Sequence, residues 1–157
     1  SSVAALVPQS DKRVDVKKPV ATMELNRTFS FPLKDQNGKE VSKLVYSIEN
    51  VELRNEIVVK GQKATSVKGR SFLVINLKIT NNYDKPIQLN ARDYLRLIIN
   101  GSSEKLAADI HNDPVEVQAI STKYTRVGLA VNDTDKNIVL QVGEIAGKKE
   151  LIKLELK

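Results

Sequence analysis

The run Phe72-Leu73-Val74-Ile75-Asn76-Leu77-Lys78-Ile79-Thr80, closed by Asn81-Asn82, constrains this chain more than any other stretch. Leu73, Ile75, Leu77 and Ile79 share one face, while Val74, Asn76, Lys78 and Thr80 share the other. Side chains of a strand alternate with period two, so this is a strand with one side on a core and one toward water. It carries no chemistry of its own.

The rest of the chain repeats that theme in shorter pieces. Met23, Leu25, Phe29, Phe31 and Leu33 are spaced by twos and fours, and Pro32 argues that their strand is an edge or ends there, because proline cannot donate to a ladder. Asp35-Gln36-Asn37-Gly38 is a turn, since Asn-Gly supplies the positive φ of tight reversals. Val45 to Leu53 alternates with one slip at Glu49-Asn50, the signature of a bulge. Ile57-Val58-Val59 precedes a loop from Lys60 to Arg70. Ile87 and Leu89, then Leu95, Leu97 and Ile99, add core positions, and short helical turns fit Ala91–Tyr94 and Leu106–His111. Ala119 to Val131 and Ile138 to Val142 form two more strands, and Ile152, Leu154 and Leu156 face one way near the end. Seven or more short strands with turn signals between them describe a sandwich of two antiparallel sheets.

Composition agrees. Of the 157 residues 41% are hydrophobic but only 4% aromatic, with no Trp, so Val, Ile and Leu must build the core, and these favour strands. No cysteine is present, which removes disulfides, thiolate nucleophiles and Cys-ligated metals together. No apolar run approaches the roughly 20 residues of a membrane-spanning helix. The stretch from Ser1 to Val20 mixes Ser, Pro and charge without any pattern that could pack, as a flexible tether does.

Arg70 to Asn82, followed by Lys85-Pro86-Ile87 and then Leu95-Arg96-Leu97-Ile98-Ile99-Asn100-Gly101, resembles the DUF4352 type of immunoglobulin-like domain. In that family a strand ending in Asn is followed by a turn, a Pro-Ile strand and a hairpin. The resemblance extends weakly through Val127 to Val131 and covers roughly the last 110 residues. It implies an all-β, immunoglobulin-like antiparallel β-sandwich like that of secreted mycobacterial antigens of the MPT63 type. Residues 1–21 are then a disordered or extended N-terminal tether and 22–157 the sandwich domain. It further implies a secreted or lipid-anchored bacterial protein, held at a membrane only through an anchor upstream of Ser1, with no family catalytic residues.

Three constellations carry possible chemistry. Asp133-x-Asp135-x-Asn137, with Gln141 and Glu144 beyond, places hard oxygen donors at alternate positions as a calcium loop does. Ile138 stands where such a loop needs glycine, and a polar hairpin turn reads equally from these residues. His111, the only histidine, lies between Asp109 and Asp113, where an imidazole beside carboxylates suggests a base or a metal ligand, or simply a solvated loop before Pro114. From Glu56 to Asp84 no acidic residue intervenes, while Lys60, Lys63, Lys68 and Arg70 all occur there, so this loop suits attachment to a polyanion. Nucleic acid is not expected, because only Phe72 is available nearby for base stacking. No G-x-S-x-G and no phosphate-binding glycine loop is present. The sequence therefore predicts a non-catalytic binding or adaptor domain outside the cytoplasm, without a cofactor, contacting a protein or an anionic envelope polymer. Calcium at Asp133, Asp135 and Asn137, or a polyanion at Lys60, Lys63, Lys68 and Arg70, are the alternatives.

Overall fold

In a computed structural model, residues 14–156 are described and form an antiparallel β-sandwich. The alternating run from Phe72 to Thr80 is the centre of its larger sheet. That strand, β5 (Arg70–Asn81), buries Leu73, Ile75, Leu77 and Ile79, as its alternation requires. It pairs on one side with β2 (Glu40–Arg54) and on the other with β10 (Ser121–Asn132). β1 (Ala21–Lys34) closes one edge, where Pro32 costs no ladder bond to a further strand, and the two-residue β8 (Ile110–His111) lies at the other edge. The order is β1-β2-β5-β10-β8. The register between β2 and β5 shifts between Ile48 and Asn50, which is the bulge expected at Glu49.

The opposing sheet is smaller, in the order β12 (Glu150–Leu154), β11 (Ile138–Val142), β7 (Leu95–Ile99). Leu95, Leu97, Leu140, Val142, Ile152 and Leu154 turn inward against Tyr46, Ile48, Leu73, Ile75 and Leu129 and make one aliphatic core. Two short ladders complete the chain: β3 (Glu56–Val59) with β4 (Gln62–Thr65), and β6 (Ile87–Leu89) with β9 (Val115–Val117). The first and last strands meet across the two sheets. Arg27 pairs with Glu150, and the Glu155 N–H lies 3.1 Å from the sulfur of Met23.

Four expectations need correction. The segment from Lys60 to Arg70 is not one loop. Lys60 and Gly61, with φ of 51° and 78°, reverse the chain tightly, and β4 folds back on β3. That hairpin changes the outer face of the large sheet: Val74 points away from the core yet is only 3% exposed, beside a small cleft shared with Val16, Ile57 and Val58. The tether expected over 1–21 also needs correction in its described part. Its residues 1–13 lie outside the described part, but the Lys17 N–H donates to Glu56 (3.1 Å), Arg54 donates to the Lys17 carbonyl (2.9 Å), and the Val20 N–H donates to Leu53 (2.8 Å), before β1 begins at Ala21. Finally, Leu106–His111 is no helical turn, because Leu106 bridges Leu97 and Ile110–His111 join β10. The other expected turn exists, as a 3-10 turn over Ala91–Tyr94.

Asn81 ends β5 fully buried. Its amide donates to the carbonyls of Lys85 (2.8 Å), Val117 (3.2 Å) and Gln118 (3.1 Å), and its oxygen accepts from the Tyr83 N–H (2.9 Å). One side chain thereby fixes both the turn after β5 and the entry to β10.

Candidate functional site

The 3-10 turn is held from three sides, and it forms one wall of a recess. Asn90 precedes it without capping it. The Asp113 carboxylate does so from a distance, accepting from the N–H groups of Ala91 (2.8 Å) and Arg92 (3.0 Å). Two orphan donors of a helical start are thus satisfied by an anion, the charge that suits that end. The hydroxyl of Tyr46, wholly buried, donates to the Ala91 carbonyl at 2.8 Å. The Arg96 guanidinium donates to the carbonyls of Arg92 (3.0 Å) and Leu95 (2.7 Å).

Tyr94 ends the turn, wedged between two rings. Its centroid lies 4.8 Å from that of Phe31 and 5.1 Å from that of Tyr46, distances at which aromatic pairs attract. Burial pushes the Tyr94 phenol above its ordinary value, and the nearby carboxylates of Glu144 and Asp93 push the same way. Tyr94 therefore remains a neutral donor at neutral pH.

Opposite stands the loop after β11. Gly143 begins it with a backbone that only glycine accepts, since a Cβ there would run into the Lys148 carbonyl oxygen. The Lys149 ammonium then reaches back into the loop and donates to the carbonyls of Glu144, Ile145 (2.8 Å) and Gly147 (3.2 Å). An internal cation clasps the loop closed. Between loop and turn opens a cleft of about 610 Å³, which Gln88, Asn90, Asp93, Tyr94, Glu144 and Ile145 help to line, with Lys34 of β1 beside them. This size falls within the usual range for small-ligand sites. Among the described residues, the side chains of Gln88, Asn90, Asp93, Tyr94 and Glu144 make no hydrogen bond within the chain. Two carboxylates, two amides and a phenol on a braced frame can exchange hydrogen bonds with a ligand rich in hydroxyl or amino groups.

Of these residues the sequence singled out only Glu144, as a calcium ligand, and Asp113, as a carboxylate beside His111. Nothing local in the sequence connects the segment Gly143 to Lys149 with Asp93 or Lys34.

The residues that were singled out go elsewhere. The Asp133 carboxylate accepts from the Ser71 hydroxyl at 2.7 Å. Asp135 accepts from the Asn100 amide (3.1 Å) and from the Asn132 N–H (2.9 Å), and the Asn137 carbonyl accepts from the Asn100 N–H (2.7 Å). These oxygens fasten a hairpin turn to its neighbours. Ile138 points into the core, and Gln141 lies along β11, away from the turn. No group of three or more His, Cys, Asp or Glu placed to hold a metal occurs among the described residues.

Lys60 sits at the tip of the β3–β4 hairpin, and Lys63 lies 3.8 Å from Glu56. Lys68 is in the turn before β5, while Arg70 donates to the Ala130 carbonyl (3.0 Å) and shares a small cleft with Glu104 and Asp135. His111 accepts the Asp113 N–H at its Nδ1 (3.0 Å), and the Asp113 carboxylate beside it is spent on the 3-10 turn.

Comparison with known proteins adds the fold and no more. No family model and no curated protein matches the chain. Two solved structures do. One is described as a conserved hypothetical protein from Bacillus anthracis, with a TM-score of 0.57 and 15% identity over 87% of this chain and 99% of the other. The second is described as an uncharacterized β-sandwich protein from Clostridium difficile 630, with a TM-score of 0.59 and 16% identity over 91% of this chain and 99% of the other.

Proposed function

We propose that this chain is a non-catalytic binding domain of the DUF4352-like immunoglobulin type, displayed outside the cytoplasm, that holds a hydroxyl-rich segment of an envelope polymer in the Tyr94 cleft. The observation that carries the reading is the cleft itself. Its frame is fixed by Asp113, Tyr46 and Lys149, whereas the polar groups that face the opening are unspent. A site whose scaffold is satisfied and whose lining is not is prepared for a guest, because little ordering cost remains to be met on binding. The resemblance of the Arg70 to Gly101 block to DUF4352 domains supports the location.

The test is sedimentation with purified bacterial cell-wall glycan, comparing the unaltered chain with a double variant, Asp93→Asn with Glu144→Gln. The unaltered chain is expected to co-sediment, and the variant to do so several-fold less. Equal retention of the two, or none of either, overturns the assignment.

A further inference from the structure

One strand of the large sheet has half an edge to spare. β10 is laddered to β5 along its whole length, from Ser121 opposite Asn81 to Asn132 opposite Arg70. On its other side only Val127 and Gly128 are paired, with His111 and Ile110 of β8. After His111 the chain leaves this sheet and continues as β9, which pairs with β6 instead. From Ser121 to Arg126, therefore, no strand among the described residues is laddered to the outer edge of β10. Alternate residues of a strand direct their N–H and C=O groups to each side, so this edge presents ladder positions that nothing in the fold occupies.

The opening beside it has the shape of a strand. β9 and β10 are separated only by residues 118–120, yet they splay apart, and a groove of about 580 Å³ runs between them. Val115, Glu116 and Val117 form one wall and Thr122, Lys123 and Thr125 the other. Asn112 bonds Thr125 across one end (3.4 Å), and Ser121 bonds the Gln118 carbonyl at the other (2.8 Å). The exposed span from Ser121 to Thr125 measures roughly 17 Å at a strand's rise of about 3.4 Å per residue.

Lys123 gives the groove a charge preference. It lies opposite Ile79, a core residue, so its register puts it on the inward side, where charge is unusual. It is nevertheless exposed, and it has no ion pair among the described residues. The acid across the groove, Glu116, accepts from Gln118 (2.8 Å) instead. On the opposite side of the strand Tyr124 stands 64% exposed beside Lys78. An inward lysine on an open edge has two readings: it guards against unwanted pairing, or it awaits a counter-charge. The groove favours the second, since a guard needs no cavity behind it.

We propose that the free edge of β10 between Ser121 and Thr125 accepts a short extended peptide from a partner protein as an added antiparallel strand, with an acidic side chain of the guest set against Lys123. Main-chain bonds supply the affinity and the acid supplies the register, as in other strand-addition complexes. The guest occupies the lane that residues 112–117 vacate on leaving the sheet. This inference is independent of the Tyr94 cleft.

The experiment is fluorescence anisotropy of a labelled, capped heptapeptide of alternating Val and Thr with one central Asp, titrated with the intact chain. Binding is expected to weaken about fivefold for each ladder N–H blocked by N-methylation. Lys123→Glu is expected to weaken it roughly threefold, as loss of an exposed ion pair does. A peptide with Lys in place of Asp should then bind the Lys123→Glu chain better than the unaltered one. The proposal is overturned if no peptide binds at millimolar concentration, if N-methylated peptides bind equally well, or if the charge exchange restores nothing. It is also overturned if Lys123→Thr makes the chain self-associate while no peptide binds, because Lys123 is then a guard.

Discussion

Replacing Asn81 tests whether one buried amide joins the two halves of the fold. Four hydrogen bonds converge on it, three donated to the carbonyls of Lys85, Val117 and Gln118 and one accepted from Tyr83. The amide's two protons are shared among three carbonyls, so at about 1 kcal/mol net for each full bond Asn81→Ala forfeits roughly 3 kcal/mol. A small part of that returns, because Lys85 and Gln118 are exposed residues whose carbonyls can turn to water, leaving an expected loss of between about 2 and 3 kcal/mol. For a domain of this size that corresponds to a fall of roughly 10 °C in Tm.

Asn81→Asp is the sharper probe. It keeps the acceptor for Tyr83 but turns a carboxylate toward three carbonyl oxygens, so the native state must hold its pKa above the ordinary value near 4. The deficit then has a definite sign with pH. A native pKa raised above the unfolded one contributes no penalty below about pH 4, and the penalty grows as pH rises through the native value. Urea denaturation followed by circular dichroism, with both variants compared against the unaltered chain at pH 3.5 and 7, measures this directly. Asn81→Asp should be less stable than Asn81→Ala at pH 7 by at least about 1 kcal/mol and should recover toward it at pH 3.5. A loss below about 1 kcal/mol for alanine, or an aspartate deficit that does not change with pH, would refute the reasoning.

Two further outcomes are expected. Burial, then Asp113 and Tyr94, holds the Tyr46 phenol well above its ordinary value, so stability should be full below about pH 10 and fall as pH rises beyond it; Tyr46→Phe should start lower, having lost the bond to Ala91, but decline less steeply in alkaline denaturation. At Gly128 an added Cβ would stand 2.6 Å from the Leu73 carbonyl oxygen, so Gly128→Ala must push β10 off β5 and should cost about 2 kcal/mol in the same urea assay.

What could be read from the sequence was whatever its local pattern encodes. The alternation in β5 named its buried face residue by residue, because a sheet with one face on a core imposes period two along the strand. The slip at Glu49 and the turn at Asn37-Gly38 were equally local. Val74 escaped because what covers it is a hairpin folded over the sheet from elsewhere in the chain. The hairpin escaped because Gln62-Lys63-Ala64-Thr65 has neither alternation nor bulk, and only its pairing with β3 makes it a strand. The cleft was illegible for the same reason in stronger form. Lys34, Asn90, Asp93 and Glu144 meet only after both sheets have formed, and the Asp113 carboxylate that braces the turn looked, beside His111, like part of a catalytic set. The Asp133 to Asn137 motif shows the converse: oxygen-rich spacing is shared by ion loops and by turns that bond their own surroundings.

The meeting of Met23 with Glu155 has a topological consequence. The first and last strands finish as neighbours, so a short linker could splice them and the backbone could be reopened in the tight reversal at Gly38. Such a circularly permuted chain would keep every ladder pairing while changing the order in which the strands are made. In this sandwich, adjacency in space and order of synthesis are separable properties.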